Sequence, residues 1–297
     1  MCIALWALDH QEYALILCSN RDEFLSRPTL DAHFHNFENG PGSFPGNVLS
    51  GRDEQAGGTW FGVNRAGRVA LLTNITEPFK AFKSSRGYLT SSFLLSDSSH
   101  PLEDQVGGVI PQDAQFAGFN LLLLAPASRP DEPLRFASSF VTNHGAGGPV
   151  TSRPLSSREH ICGCVSNAVD GEIPVWPKVQ HATQEFDAVL QTLSPDATEP
   201  ELTARLFDIL AWRSPEFVSE RSHLRRTIHV APFPITLESA SSVGSNSYGT
   251  RLSTILLIKT NGEALFIERD MWKLVDGEPV KADPSLQRVF RFQVKLQ

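Results

Sequence analysis

Apolar residues alternate with polar ones or form short continuous runs over much of the chain, a pattern typical of β-strands. Short polar turns join several of these runs, and Asn261-Gly262 is the strongest hairpin signal among them. The predicted strand pairs are 3–8 with 13–18, 59–63 with 68–73, 118–125 with 134–141, and 250–260 with 263–270, with further strands at 161–165 and 288–295.

Helical spacing of apolar residues is confined to three segments. Residues 86–96, 178–193 and 199–212 each place their apolar side chains on one face. Because these helices are segregated from the hairpins, the pattern indicates an α+β fold. Two antiparallel sheets packed face to face, with helices on their outer faces, would use all these elements. We expect residues 1–297 to form a single domain.

Two polar segments are expected to be loops. Residues 24–58 are rich in glycine, proline and asparagine, with only a hint of a short strand at Val48-Leu49. Residues 239–248 have a similar polar composition. A loop as long as the first one is usually functional or disordered, so we expect it to wrap around a site.

The first hairpin brings together the most informative chemistry of the sequence. With Leu8 opposite Tyr13, its register places Cys2 beside Ser19, and the cluster Asn20-Arg21-Asp22-Glu23 follows just past the strand end. We therefore expect the thiol of Cys2 to share one pocket with this polar cluster.

Cys2 combines two functional groups if the initiator methionine is removed. Its small side chain permits that removal, which would leave a thiol and a free α-amine on one residue. An α-amine titrates near ~8 and a thiol near ~8.5, so the amine can accept the thiol proton. This is the N-terminal-nucleophile form of covalent catalysis, in which Arg21 would lower the thiol pKa and Asp22 would orient the ammonium. The alternative is a small buried residue on a first strand.

Charge and composition exclude several functional classes. The chain has 26 Lys and Arg against 33 Asp and Glu, a net charge of −7, and no basic run longer than Arg225-Arg226. We therefore expect no nucleic-acid partner and no patch for anionic membranes. An apolar content of 41% excludes global disorder, and no stretch approaches the ~20 apolar residues of a transmembrane segment.

Cysteine usage and the first residues predict a cytoplasmic location. Four cysteines in a chain of this length do not form a disulfide scaffold, which indicates a reducing compartment. No basic region precedes the first apolar run, so we expect no secretory signal. Cys162 and Cys164 lack a second cysteine pair and a nearby histidine pattern, so we expect no metal site.

Several short motifs follow one another in a specific order along nearly the whole chain. They are Met1-Cys2, Asn20-Arg21-Asp22-Glu23, Gly57-Gly58-Thr59-Trp60-Phe61-Gly62, Leu72-Thr73-Asn74, Ser85-Arg86-Gly87, Gly118-Phe119-Asn120-Leu121, Ser166-Asn167 and Tyr248-Gly249-Thr250-Arg251. In these motifs the chain resembles the NRDE-motif family, whose founding member is called transport and Golgi organisation protein 2.

This resemblance implies a four-layer αββα sandwich like that of the N-terminal-nucleophile hydrolases. It also implies roles in Golgi organisation and protein secretion, cytosolic or mitochondrial residence, peripheral association with endomembranes, and handling of haem or acyl lipids. We expect no required cofactor. Haem would be a transported ligand held without covalent attachment, because the sequence has no C-x-x-C-H site.

A more distant likeness concerns mechanism. The chain is similar to the cholylglycine-hydrolase branch of N-terminal-nucleophile enzymes, which implies the candidate catalytic residues Cys2, Arg21, Asp22, Asn74, Asn167 and Arg251. The chain departs from that branch because its arginine and aspartate are adjacent, and adjacent residues of a strand point to opposite faces. Glu23 or Asn20 could therefore replace Asp22 in the site.

The remaining candidates have structural alternatives. The amides of Asn74 and Asn167 could stabilise an oxyanion, a contribution of ~3 kcal/mol, or could simply turn the chain after a strand. Arg251 could bind an acyl carboxylate or lie on the surface at a strand start. Asn20, Glu23, Trp60 and Phe61 are candidate substrate-binding residues, although core packing is the commoner role of such aromatic residues.

Two functional hypotheses of different classes follow. The first is an amidohydrolase in which Cys2 attacks an amide or thioester carbonyl. The second is a non-catalytic carrier or chaperone of haem or of a small apolar or acylated ligand. An adaptor that acts in Golgi organisation through protein contacts alone is a third option.

Overall fold

The computed structural model describes residues 1–37, 46–78, 80–96, 102–110, 114–127, 132–194, 196–235 and 247–295. Within these ranges the strands are β1 (Ile3–Ala7), β2 (Tyr13–Phe24), β3 (Thr29–His35), β4 (Val48–Asp53), β5 (Phe61–Asn64), β6 (Val69–Asn74), β7 (Phe119–Pro126), β8 (Phe136–Thr142), β9 (Thr151–Arg153), β10 (Gly163–Val165), β11 (Phe233–Pro234), β12 (Ser247–Lys259), β13 (Glu263–Asp270), β14 (Trp272–Val275), β15 (Glu278–Lys281) and β16 (Arg288–Gln293). The helices are α1 (Gly87–Leu95), α2 (Leu102–Val109), α3 (Ser157–Ile161), α4 (Pro177–Thr192) and α5 (Glu199–Ala211), with one 3₁₀ helix at Arg221–Arg225.

The strands form two antiparallel sheets of seven strands each and one small hairpin. The first sheet has the order β10-β1-β2-β12-β13-β16, and β11 also pairs with β12. The second sheet has the order β3-β4-β5-β6-β7-β8-β9, and β14 pairs with β15. The long strands β2 and β12 are central neighbours in the first sheet. Strand β1 lies between β10 and β2, so the start of the chain is held from both sides.

Alternating side chains of the strands build three apolar layers. Trp6 of β1 and Leu17 of β2 pack between the two sheets against side chains such as Phe61. On the opposite face of the first sheet, Ile3 and Ile16 pack against helices α4 and α5. Helices α1 and α2 cover the outer face of the second sheet. The predicted α+β class and the four-layer αββα sandwich are therefore confirmed.

Most of the predicted elements are present with small changes at their ends. The helices predicted at 86–96, 178–193 and 199–212 correspond to α1, α4 and α5, and the four predicted strand pairs are all antiparallel neighbours. Helix α5 begins with acidic residues and a capping contact from the Glu201 amide to the Thr198 hydroxyl. Within the described ranges, every helix is too short or too polar to span a bilayer.

The first hairpin differs from its predicted register by two residues. Ala4 pairs with Ser19, and Ile3 pairs with Asn20, because the connection between the strands is longer than expected. Strand β2 also continues to Phe24 instead of ending before Asn20. It continues because β12 supplies main-chain hydrogen bonds along the polar cluster, a tertiary contact that local sequence does not reveal.

The long loop predicted at residues 24–58 was also wrong in part. Strands β3 and β4 pair with each other inside it, and β4 continues the second sheet to β5. Residues 38–45 of this segment, and residues 236–246 of the loop predicted at 239–248, lie outside the described residues. The hint of a short strand at Val48-Leu49 is confirmed, because β4 begins there, whereas the loop-like composition hid β3 and the rest of β4.

Candidate functional site

The end of strand β2 presents its polar residues on two faces of the first sheet. Asn20 and Asp22 continue the face that is covered by the helices, whereas Arg21 continues the face between the sheets. Cys2 precedes β1 and continues the inner face of Ala4. Cys2 and Arg21 are therefore on the same side of the sheet, and Asp22 is on the other.

A cavity of about 130 Å³ lies where β2, β6 and the start of helix α1 meet. Its lining brings the thiol, three arginines and three acidic residues together with an aromatic wall: Cys2, Arg21, Asp22, Glu23, Arg27, Asp53, Thr59, Trp60, Leu72, Asn74, Ser85, Arg86 and Gly87. The structure thus brings together six of the predicted site residues, Cys2, Arg21, Asp22, Glu23, Trp60 and Asn74.

Arg21 is fixed at the wall of this cavity although only 6% of its surface is exposed. Its guanidinium carbon lies 3.8 Å from the centre of the Trp60 ring, and Nη1 donates to Thr29 Oγ1 at 3.2 Å. Such stacking stabilises a desolvated cation and keeps the guanidinium plane parallel to the ring. Burial lowers the pKa of Arg21, but the guanidinium of an arginine remains charged at neutral pH.

The amine of Met1 is held in a buried ion pair on the other face. Its nitrogen lies 2.8 Å from Asp22 Oδ2 and donates to the Tyr248 hydroxyl at 2.5 Å. The second oxygen of Asp22 accepts a hydrogen bond from Thr250 Oγ1 at 2.6 Å. Burial lowers the pKa of the Met1 amine, while the Asp22 carboxylate opposes that change. Asp22 is therefore positioned to hold a terminal ammonium.

Lys178 is a site residue that the sequence analysis missed. Its ammonium is fully buried and donates to the carbonyl oxygens of Met1 at 2.7 Å and Cys2 at 3.4 Å. Ser166 Oγ donates to the same Cys2 carbonyl at 2.7 Å. Burial lowers the pKa of Lys178. The available signal was a lysine on the apolar face of helix α4, one turn before Ala182.

Opposing influences act on the thiol of Cys2. Burial raises its pKa, and the Asp22 carboxylate adds to this, whereas the terminal ammonium and Arg21 lower it. The Sγ atom lies 3.9 Å from the Asp22 carbonyl oxygen and remains partly exposed to the cavity. Removing either cation would therefore leave the thiolate less stable.

The two candidate oxyanion residues have different positions. The side chain of Asn74 is exposed at the end of β6 and lines the cavity. Asn167 is buried, and its Nδ2 donates to the Asn74 carbonyl oxygen at 2.5 Å. Asn167 therefore supports the backbone that carries Asn74, and it is not among the residues that line the cavity.

Three further candidates also lie away from the cavity lining. Asn20 Nδ2 donates to the carbonyl oxygens of Leu210 at 2.8 Å and Ile228 at 3.2 Å, which attaches β2 to the helical layer. Phe61 is stacked on Phe266 between the sheets, with 5.7 Å between ring centres. The roles proposed for Asn20 and Phe61 in substrate binding stay predictions.

Arg251 is the third of these candidates. It is an extra residue in β12, because Thr250 pairs with Asp22 and Leu252 pairs with Arg21. This bulge directs its guanidinium to main-chain oxygens, where Nη1 donates to the Arg27 carbonyl. Its catalytic role stays a prediction.

Two glycines fix the start of helix α1 beside the cavity. Gly58 has a φ of +73°, and a Cβ atom there would lie 2.4 Å from the carbonyl oxygen of Gly87. A Cβ atom on Gly87 would lie 3.1 Å from the Gly57 carbonyl oxygen. The close approach of these backbones explains the Gly-Gly pair ahead of Trp60.

No group of three or more His, Cys, Asp and Glu side chains in the described ranges is arranged to hold a metal ion. The three cysteines other than Cys2 lie on or near the helix-covered face, and burial raises the pKa of Cys162 to about 11 and that of Cys164 to about 12. Cys2 is therefore distinguished from them by its position in a charged cavity.

Fold and site together define a class of protein: a four-layer αββα sandwich with a cysteine at position 2 beside a buried arginine. The chain belongs to the family described as Transport and Golgi organisation 2, whose model matches residues 1–273. The predicted family membership is confirmed.

Curated relatives and solved structures extend this comparison. The Transport and Golgi organization 2 homolog of Mus musculus is 30% identical over 283 residues, which cover 91% of this chain and 93% of the mouse protein. The Transport and Golgi organization protein 2 homolog of Bos taurus is 29% identical over 306 residues, covering 100% of both chains. A mutant of the conjugated bile acid hydrolase from Clostridium perfringens is 9% identical with a TM-score of 0.48, covering 100% of this chain and 98% of that chain.

Proposed function

We propose that the protein is an N-terminal-nucleophile hydrolase whose Cys2 acts on an amide or thioester. The observation that carries this proposal is the position of Cys2 Sγ in a cavity with Arg21, next to an aspartate that binds the terminal amine at 2.8 Å. Nucleophile, cation and amine-binding carboxylate thus converge on the first two residues.

The proposed mechanism requires removal of Met1. A peptide nitrogen is not a base, so Cys2 gains its general base only when its own amine is free. The amine of Met1 already forms an ion pair with Asp22, and the Cys2 amine can take over that carboxylate after a short movement. Because Met1 is only 5% exposed, we propose that its removal precedes folding.

The reaction then has two steps. The Cys2 amine accepts the thiol proton, Sγ forms a bond to the substrate carbonyl carbon, and the amine returns the proton as the C–N or C–S bond breaks. Water then attacks the acyl-enzyme and gives a proton to the Cys2 amine. As the S–C bond breaks, the carboxylic acid leaves and the amine returns the proton to Sγ. Arg21 favours the thiolate, and the exposed amide of Asn74 can donate to the developing oxyanion.

Labelling by a cysteine-reactive acyl probe tests this proposal. We expect a thioester probe to acylate Cys2, and the Cys2→Ala variant to lose this label, as judged by mass spectrometry of the first peptide. Cys164→Ala is the matched control, because that thiol is partly buried under α4 and should not affect labelling. Equal labelling of the wild type and Cys2→Ala would contradict the proposal.

The carrier hypothesis makes the opposite prediction. A carrier of haem or acyl lipids, in the cytoplasm or at Golgi or mitochondrial membranes, would bind haem or acyl-CoA saturably, and this binding would survive Cys2→Ser. The cavity beside Cys2 is small and lined mainly by polar and charged residues, which supports hydrolysis of a polar substrate rather than storage of a large apolar ligand.

A further inference from the structure

We propose that the cavity beside Cys2 binds an oxyanion group of the substrate, a carboxylate or a phosphate, between the guanidinium groups of Arg21 and Arg86. This inference rests on the proposed function, because the bound anion belongs to the molecule whose carbonyl Cys2 attacks. It adds Arg86 to the site and narrows the substrates to acyl compounds that carry a negative charge close to the scissile bond.

The charges that line the cavity are unequally paired. Asp22 is occupied by the terminal amine at 2.8 Å. Arg27 and Asp53 form a bidentate pair, with Nη2 2.6 Å from Oδ2, and Glu23 lies 3.8 Å from Arg27. The three carboxylates of the lining therefore each have a cationic neighbour.

Arg21 and Arg86, by contrast, have no anionic partner at ion-pair distance in the part of the chain that the structure describes. Within the described ranges, neither guanidinium lies within 4 Å of a carboxylate oxygen. A guanidinium has five N–H donors, yet Arg21 donates one hydrogen bond to Thr29, and Arg86 donates one to the Gly118 carbonyl oxygen at 3.0 Å. Most of their donors are thus available to a ligand in the cavity that both residues line.

Both guanidinium groups are desolvated, and in the described ranges neither has a carboxylate at ion-pair distance. Burial lowers the pKa of both, and more distant carboxylates, Glu23 for Arg21 and Glu77 with Glu23 for Arg86, oppose this only in part, so a bound anion would compensate for the remaining cost. Guanidinium groups bind carboxylate and phosphate oxygens through paired, charge-assisted hydrogen bonds. The two guanidinium groups therefore fit a planar carboxylate or a tetrahedral phosphate better than a neutral amide.

Helix α1 adds to the positive potential of the same wall. Arg86 is the residue before its first turn, and Ser85, Arg86 and Gly87 all line the cavity. The N-terminal end of this nine-residue helix, which carries the positive end of its dipole, therefore lies at the cavity. A cavity of about 130 Å³ accommodates a small charged group and the adjacent carbonyl, not a large apolar body.

Alkylation of Cys2 with two matched reagents tests this inference without requiring turnover. Iodoacetate carries a carboxylate where iodoacetamide carries a neutral amide, and both form an S–C bond as iodide leaves. We expect the ratio of the iodoacetate rate to the iodoacetamide rate at Cys2 to fall roughly tenfold in Arg86→Gln, the loss of one charge-assisted contact. The full-length protein is alkylated and then digested, and mass spectrometry of the peptides assigns the label to Cys2.

Three controls make the outcome decisive. Arg86→Lys should retain most of the preference for iodoacetate, because it keeps the charge. Arg158→Gln removes the same charge from an exposed site on α3 and should leave the ratio unchanged. A ratio that is equal in the wild type, Arg86→Gln and Arg158→Gln would overturn the inference. The circular dichroism spectrum identifies a variant that has not folded. If Arg86→Gln is such a variant, Arg21→Gln replaces it, because it removes the other guanidinium of the cavity and any change in thiolate fraction cancels in the ratio.

Protection of Cys2 from iodoacetamide separates the two sources of the anion. Inorganic phosphate and acetate are used as competitors, and slower alkylation with phosphate alone assigns a phosphate ester. Slower alkylation with acetate assigns a carboxylate. An altered reagent ratio without acylation by thioester probes would support the anion site and contradict the hydrolase, whereas acylation with an unaltered ratio would do the reverse.

Discussion

The two faces of the end of strand β2 carry adjacent polar residues with different surroundings. On the helix-covered face, Asn20 bonds to main-chain oxygens and Asp22 binds the terminal amine. On the inner face, Arg21 and Glu23 line the cavity that contains Cys2. One face attaches the first residues to the fold, and the other presents the thiol to a ligand.

This difference resolves the adjacency of arginine and aspartate. The two side chains need not face the thiol together, because the terminal amine lies on the Asp22 side and Sγ lies on the Arg21 side. The polypeptide passes between them at Cys2, whose carbonyl is bonded by Ser166. A residue that contributes both an amine and a thiol can thus use both faces of one strand.

The largest effect on stability is expected from Asp22→Asn. This variant removes the counter-charge of a buried ammonium, and breaking such a pair costs about 3–5 kcal/mol. Urea denaturation at pH 7 measures the loss. Because burial lowers the pKa of the amine below its usual value, the amine loses its charge as the pH rises through that lowered pKa, and the difference from wild type should then shrink. A difference that is constant from pH 6 to 9 would contradict this assignment.

Asn20→Ala should also destabilise the fold, by about 2–3 kcal/mol, because it leaves two buried carbonyl oxygens and the Ser253 hydroxyl without a partner. The rate at which iodoacetamide alkylates Cys2 in the folded protein should stay within about twofold of wild type, because Asn20 is on the other face. Denaturation and alkylation are measured on the same sample. A large change in thiol reactivity with unchanged stability would contradict the assignment of Asn20 to the face opposite Cys2.

Arg21→Gln should act mainly on the thiol. Arg21 lowers the pKa of Cys2, so the variant needs a higher pH to form the thiolate, and alkylation at pH 7 should slow by roughly tenfold. The pH dependence of the alkylation rate should shift upward, while loss of the contact with Trp60 costs about 1 kcal/mol. Arg158→Gln is the control, and the same shift in that variant would mean that net charge alone is responsible.

Glu23→Gln should have the smallest effect. Its carboxylate lies 3.8 Å from Arg27 in a partly exposed pair, so the free energy of unfolding should change by less than about 0.5 kcal/mol. Removal of a negative charge from the cavity should raise the iodoacetate-to-iodoacetamide ratio at Cys2 slightly, by about twofold. A fall in the ratio would indicate that Glu23 does not face the bound reagent.

The fold was predictable where a local pattern and its tertiary contacts agree. The Asn261-Gly262 turn and the apolar spacing of α4 both indicated the elements that form. The register of the first hairpin was not predictable, because the pairing of β2 with β12 extends the strand through a polar cluster. Strand β3 was hidden by a composition typical of loops, and only the first two residues of β4, Val48 and Leu49, gave a strand signal.

In the candidate site, the proximity of Cys2 and Arg21 was predictable from the sequence. Cys2 and Arg21 share the cavity, as the hairpin indicated, although the predicted register was shifted by two residues. An even shift preserves which face each side chain occupies, so the error did not separate them. Lys178 lies in α4, and Arg86 lies just ahead of α1. Both are distant from the first strand along the chain, and no local pattern connects them to it.

Cys2 can act as the proposed nucleophile only if it is the first residue of the mature chain. Intact-mass spectrometry and N-terminal sequencing are applied to protein purified from the cells that normally produce it. We expect the mass to be lower by one methionine residue and the chain to begin with Cys2, so that its amine can bind the Asp22 carboxylate. A chain that retains Met1 throughout would contradict the proposed nucleophile, because Cys2 would then have no amine to accept its proton.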